Sequence, residues 1–412
     1  MKVLLINSFY YPSFVGGAEI SVQLLAEGLK KAGNQVYVLT TGPHNRVYRV
    51  NGVIVISLKQ KNIFSTYNGT ARVNGFFKAF WHLIDSFNIF YHFKISAILK
   101  KLQPSLVHTN TIQGFSPFIW LTIKASKTPL IHTMRDYYLL CHKCSMFNNN
   151  KNCDTLCLPC KVTHRLKKNL IKYPDHYVGI SNYILSRHKA FFEIPELNSH
   201  LIYNAAQAGS NTVEKAPAGK LHFGYIGRIA QDKGVEYLVN ELSKLSDLQK
   251  AKIKIVFAGK GEPEFIDQLK KKLDGFDFEF SGVIKPAEFY KKIDILIVPA
   301  LWNEPFGRTV IESLSFAVPV CQTDRGGLKE IYDPDSSWMY SPEEGNLSIL
   351  IDHILENEIE INEKRKHCLK RAEQFSAAQY IQSHLKLYNQ IIAHQPEVYQ
   401  SNSYSALPNQ ME

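Results

Sequence analysis

Short apolar runs rich in β-branched residues, each followed by a stretch with helical spacing, recur along this chain, and that alternation leaves it few folds. Residues 3–7, continuously apolar from Val3 to Ile6, form a run of the kind buried on both faces of a parallel sheet. Residues 18–30 follow with Ile20, Leu24, Leu25 and Leu29 at helical spacing; Gly33 ends the helix and residues 36–40 resume strand character. Residues 53–57, 106–108, 130–133 and 177–180 add further strands. A second series covers residues 222–227, 253–258, 278–280, 295–299 and 318–323. Parallel strands need helical crossovers, so each series predicts a doubly wound α/β domain.

A chain of 412 residues is too long for one ordinary core, and two domains follow. The pattern weakens through Ala205-Ala206-Gln207-Ala208-Gly209 and Ala216-Pro217-Ala218-Gly219. The expected division is a first domain over 1–204, a linker over 205–220 and a second domain over 221–375. A closing helix over 376–394 is expected to pack back on the first domain, before a polar, disordered tail over 395–412.

Net charge is +11 and uneven: residues 1–200 carry 24 Lys and Arg against 8 Asp and Glu, and the remainder 24 against 29. The basic half suits an anionic lipid surface, a nucleic acid or an acidic acceptor. No run approaches the roughly 20 apolar residues of a membrane span. The first residues read as a strand rather than a signal peptide, so a cytoplasmic location is expected. Seven cysteines are then expected to be reduced. An aromatic, basic segment from Phe76 to Lys101 is expected to be helical, either packing in the first domain's core or lying in a bilayer interface.

Four loops at strand ends carry candidate chemistry. Gly16-Gly17 opens the first helix and permits close backbone approach to a phosphate. Gly227-Arg228 with Lys233-Gly234 sets two cations five residues apart, enough to neutralise a diphosphate. Gly259-Lys260-Gly261 is a third such loop. The fourth, Glu304-Pro305-Phe306-Gly307-Arg308-Thr309-Val310-Ile311-Glu312, places two carboxylates around a strand-to-helix turn. Gly307 lets backbone pass close to a ligand, and the amides of the new helix attract an anion. Carboxylates beside an anion site repel phosphate, so they are suited to accepting from hydroxyls. Phosphates and hydroxyls together describe a nucleotide sugar.

Taken together, Gly16-Gly17, Gly227-Arg228, Lys233-Gly234, Gly259-Lys260-Gly261 and the Glu304 to Glu312 element resemble a retaining family 4 glycosyltransferase of the polysaccharide-building type. The resemblance covers most of residues 1–390. It implies the GT-B fold, two Rossmann-like domains facing across a cleft. It implies that Arg228 and Lys233 bind the donor diphosphate, with Gly259 in one wall of the nucleotide site. Glu304 would hold sugar hydroxyls, beside the amides of Phe306 and Gly307. Thr309 would hold the distal phosphate, Glu312 the ribose, and Gly16-Gly17 would close from the other domain. The reaction it implies is hexose transfer to a glycan or lipid-linked glycan by front-face displacement. Charge on the leaving diphosphate would be met by cations and helix amides, with no donor-site metal.

Many relatives carry His-Asp where this chain has Arg135-Asp136. An arginine stays protonated and cannot act as a base, though it can donate to a hydroxyl or phosphate. Arg135 and Asp136 join Glu304 as candidate catalytic residues, with a structural salt bridge as the alternative. His108 and His132 read as packed strand-end histidines. Cys141, Cys144, Cys157 and Cys160 form two Cys-x2-Cys knuckles that can enclose a structural zinc, with Cys153 as a spare. Reduced packing thiols and a disulfide are the alternatives. No recognition-helix pattern accompanies the knuckles, which argues against a nucleic-acid partner. Two rival activities stay open: a sugar-nucleotide epimerase or hydrolase, and a silent GT-B scaffold.

Overall fold

The computed structural model describes residues 1–13, 16–68, 74–206, 209 and 219–394. Most of the expected linker and the whole expected tail lie outside the described residues, as do Phe14 and Val15 of the first glycine loop.

The first domain is built on eight strands. Their order is Ser199–Leu201, His176–Gly179, Leu130–Met134, Leu106–Thr109, Lys2–Ile6, Gln35–Gly42, Val53–Lys59 and Arg46–Val50. All neighbours are parallel except the last pair. That antiparallel edge comes from Asn51-Gly52, whose φ values of 48° and 80° suit the two-residue turn that matches strand twist. The second domain has six parallel strands in the order Asp277–Phe280, Ile253–Ala258, Leu221–Ile226, Ile295–Val298, Val320–Thr323 and Ser337–Tyr340. In both domains the order reverses beside the first strand, and ligand crevices form at such switch points.

Two doubly wound domains are therefore present. Arg46–Val50, Ser199–Leu201 and Ser337–Tyr340 are strands beyond those expected from the periodicity. The aromatic segment is two helices, Gly75–Ser86 and His92–Leu102, rather than one. Asn88 breaks it: its amide donates to Ser116 Oγ (3.0 Å) and its Oδ1 accepts from Phe90 (3.0 Å), redirecting the chain.

Helix Ala377–Ala393 packs on the first domain. Tyr380, Leu387, Tyr388 and Ile391 share one apolar cluster with Val3, Leu5, Val22, Leu25 and Leu29. Helix Gly17–Lys31 meets it at Gly28, where any side chain would collide with Ile381. The chain thus crosses between domains twice, and the crossings touch: Ala206 N donates to Phe375 O at 3.3 Å. Another buried cluster runs from Leu4 and Ile6 through Tyr137 to Trp302, Phe306 and Leu328, so apolar contact is continuous between the domains. Among the described residues no helix is long and apolar enough to cross a membrane.

Candidate active site

Glu304 leaves strand Ile295–Val298 through a loop and precedes helix Arg308–Ser315. Its Oε1 accepts from Lys233 Nζ (2.7 Å) and from Trp302 Nε1 (2.7 Å), and the same ammonium lies 4.2 Å from the Trp302 ring centre. One cation, one carboxylate and one indole thus form a compact unit. Gly307 joins this loop to the helix with φ of +105°, a conformation that suits glycine. A side chain there would also meet Leu328 and Ile331. Phe306 contributes backbone alone, since its ring is buried against Tyr203 and Phe375. The helix start therefore sits over a packed floor, with its first amides beside Glu304.

Glu312, one turn into that helix, is paired with Arg308. The Arg308 guanidinium also donates to Gly17 O across the cleft at 3.2 Å. Gly17 opens helix Gly17–Lys31, and Glu19 accepts from Gly16 N at 2.7 Å, which fixes the turn. Arg308 thus links the first domain's glycine pair to Glu312. Thr309 lies in the first helical turn, where its carbonyl accepts from Tyr290 OH (3.1 Å).

The two cations separate. Lys233 is at Glu304, whereas the Arg228 side chain is 62% exposed and paired with Asp232 (2.5 Å). Gly259 has φ of +140° and packs against the Gly227 carbonyl, with Ile229 N bonded to Lys260 O at 2.9 Å. Close approach of these two loops is what requires glycine at 259.

Arg135 is a buried side chain. It is 6% exposed, and its Nε, Nη1 and Nη2 donate to Asn110 (2.8 Å), Asn204 (2.7 Å) and Tyr380 (2.7 Å). A permanently charged group enclosed in this way needs every donor met. It ties the strand of residues 130–134 to the interdomain crossing and the C-terminal helix, the arrangement of a structural clamp. Asp136 points elsewhere: it is half-buried, its Oδ1 accepts from Tyr138 N (2.8 Å), and desolvation raises its pKa. His108 is buried between Tyr388 OH (2.5 Å) and Thr133 Oγ1 (2.6 Å), and burial pushes His132 down to about 3. Both histidines are packed groups.

The cysteines do not assemble as four ligands. The Cys141 and Cys160 thiols hydrogen-bond to each other, which favours the thiolate at Cys141 and disfavours it at Cys160. Cys160 Sγ lies 3.3 Å from His142 Nδ1. Cys144 Sγ lies 4.0 Å from His142 O, and desolvation holds its thiol up. Cys157 is exposed at a helix start and Cys153 is half-buried. Among the described residues no group of three or more His, Cys, Asp or Glu side chains is placed to hold a metal ion. All seven cysteines are free thiols.

The cysteine segment instead reaches the other domain. Asn152, on the hairpin Phe147–Asn148 with Lys151–Asn152, donates to Leu301 O (2.8 Å) and accepts from Asn303 N (2.7 Å). Tyr137 OH donates to Asn303 O (2.6 Å). Three backbone groups of the loop before Glu304 are therefore held by the first domain. Ser181 Oγ, likewise, donates to Pro305 O (2.6 Å), and Gly327 N to Glu304 O (2.7 Å). Sequence reasoning missed Trp302, Arg308, Asn152, Tyr137 and the Gly326-Gly327 turn. Of these only the glycine pair, between strand Val320–Thr323 and helix Leu328–Ile331, carried a local signal.

Residues 15–207 match the family model for Glycosyltransferase Family 4, and residues 210–375 match that for Glycosyl transferases group 1. An uncharacterised 42.6 kDa protein in the cps region of Klebsiella pneumoniae is 36% identical over 337 residues, covering 80% of this chain and 87% of that protein. The structure of sucrose-phosphate synthase from Thermosynechococcus elongatus superposes with a TM-score of 0.73 at 18% identity, over 95% of this chain and 99% of that one. Anabaena HepE in complex with UDP and glucose gives 0.68 at 15% identity, over 94% and 99%. With the two domain models matched end to end and the paired Rossmann-like domains in place, this chain belongs to the group 1 glycosyltransferases of the GT-B fold.

Proposed function

We propose that the chain transfers a hexose, with retention, from a nucleotide diphosphate sugar to a glycan acceptor carried on a lipid, in polysaccharide biosynthesis. The observation that carries this reading is the pairing of two cations with two carboxylates around one helix start, Lys233 with Glu304 and Arg308 with Glu312. Each pair can exchange partners when a donor enters. The cations and helix amides turn to the diphosphate, and the released carboxylates accept from sugar and ribose hydroxyls. Negative charge builds on the leaving diphosphate as the anomeric bond breaks, so groups already aimed there lower the barrier. Arg228 would swing from Asp232 to a phosphate. Asp136 stands on the first domain's side, where an acceptor would lie. The relative named for a cps region supports a polysaccharide product.

The test is a thermal-shift screen across UDP-, GDP- and ADP-sugars, followed by product analysis. A donor at 100 times its dissociation constant adds about 2.7 kcal/mol of stability. The expected result is a shift with one nucleotide class and a product whose anomeric configuration matches the donor. A flat response to every nucleotide sugar overturns the reading; an inverted anomeric centre overturns retention alone.

A further inference from the structure

We infer that the outer face of the first domain is a docking surface for an anionic lipid bilayer. The break at Asn88 gives helices Gly75–Ser86 and His92–Leu102 one buried face and one bare one. Trp81 and Asp85 point inward, whereas Phe76, Phe77, Phe80, Leu83, Phe87, Ile89, Phe90 and Phe93 are exposed, Phe93 by 84%. Helix Leu158–Lys168 packs beside the first of these and presents Leu158 (76% exposed) and Val162. Large apolar residues scattered singly on a surface need no explanation, but eight of them exposed within residues 76–93 do.

Charge selects the occupant. From Lys61 to Pro174 the acidic residues are Asp85, Asp136 and Asp154, and the first is buried. Lys94, Lys100 and Lys101 are exposed on the second helix, and Lys161, Arg165 and Lys168 on the third. Aromatic side chains among exposed cations fit the boundary between acyl chains and anionic headgroups. A second copy of this chain would bring the same sign of charge to the same surface and be repelled.

The helix that carries much of this surface also packs against the segment that follows Asp136. Tyr138, two residues past Asp136, donates from its hydroxyl to Asp85 O (2.9 Å) on the inner face of helix Gly75–Ser86. A bilayer seated on the outer face would bring a lipid-linked acceptor to the Asp136 side. This step deepens the proposed function and rests on it for the acceptor; the binding itself does not.

The experiment is sedimentation of the full chain with vesicles of phosphatidylcholine alone or with about one-third phosphatidylglycerol. The parent is expected to sediment with the anionic vesicles, less so as salt rises, and weakly with neutral ones. Phe76→Ser/Phe77→Ser/Phe93→Ser is expected to weaken binding at least about 100-fold. Lys94→Gln/Lys100→Gln/Lys161→Gln leaves the aromatics intact and is expected to cost about fivefold per charge. Both variants should keep the parent's thermal shift with donor. Absence of binding by the parent, or variants within threefold of it, overturns the proposal. So does a parent dimer that the phenylalanine changes dissolve without any vesicle binding. A flat donor screen with intact vesicle binding strikes the transferase reading and leaves the surface standing.

Discussion

Asn152→Ala should slow transfer although Asn152 touches no expected substrate. The side chain makes two hydrogen bonds, to Leu301 O and from Asn303 N, across the gap between domains. A neutral hydrogen bond contributes about 0.5–1.5 kcal/mol net. Asn152, Leu301 and Asn303 are half-buried, so water partly replaces what is lost and the lower part of the range applies. Two bonds then give about 1–2 kcal/mol, a factor of about 5–30. That energy favours the arrangement in which Trp302 and Lys233 hold Glu304, so it should appear in kcat/KM for the donor. Asn152→Asp tests the geometry: a carboxylate still accepts from Asn303 N but cannot donate to Leu301 O, and should do no better than alanine. The assay is steady-state transfer with the donor that gives the largest thermal shift, alongside unfolding without donor. Turnover within twofold of the parent, at unchanged stability, would falsify the claim that the first domain positions this loop.

Three further outcomes are expected. Glu304→Ala should abolish transfer while leaving circular dichroism unchanged, with melting lowered only by the acceptor that Lys233 and Trp302 lose, about 1–3 kcal/mol; near-normal turnover removes its assigned role. Arg135→Leu should destabilise the chain by about 3 kcal/mol in urea unfolding, since Asn110, Asn204 and Tyr380 each lose a charged donor; a change under 1 kcal/mol would mean water replaces the clamp. The third concerns pH. Burial pushes His132 and His384 down to about 3 and His188 to about 4. Their folded pKa values lie below the unfolded value of about 6.5, so the unfolded chain takes up protons first as pH falls. Stability is then full above about pH 7 and declines below 6.5 by about 1.4 kcal/mol per unit for each histidine. His132→Gln should flatten that slope by one histidine's share between pH 6 and 5, and equal slopes in parent and variant would refute it.

What the sequence could reveal is what depends on neighbours a few residues away. Apolar runs separated by helical spacing predicted the parallel strands, and the glycines at 16–17, 227, 259 and 307 marked the tight strand-to-helix turns. Glu304 and Glu312 were legible because the turn between them is local. Asn51-Gly52 carried an equally local hairpin signal that the strand periodicity hid.

The partners of a side chain are another matter. Arg135 bonds to residues 69 and 245 positions away, and Asn152 to residues 149 and 151 away. Nothing within a turn or strand of Arg135 says that a helix from the far end of the chain will enclose it. The cysteine spacing suggested four converging thiolates, but the folded segment leaves Cys157 exposed and Cys144 Sγ 4.0 Å from His142 O, and Asn152 of the same segment meets Leu301 and Asn303. Periodicity and turn chemistry act over one element, so sequence alone determined the two alternating domains and the helix start. The tertiary fold decided that Lys233 meets Glu304 and that Arg135 meets Tyr380, because only the folded chain brings residues 71 and 245 positions apart within hydrogen-bonding distance.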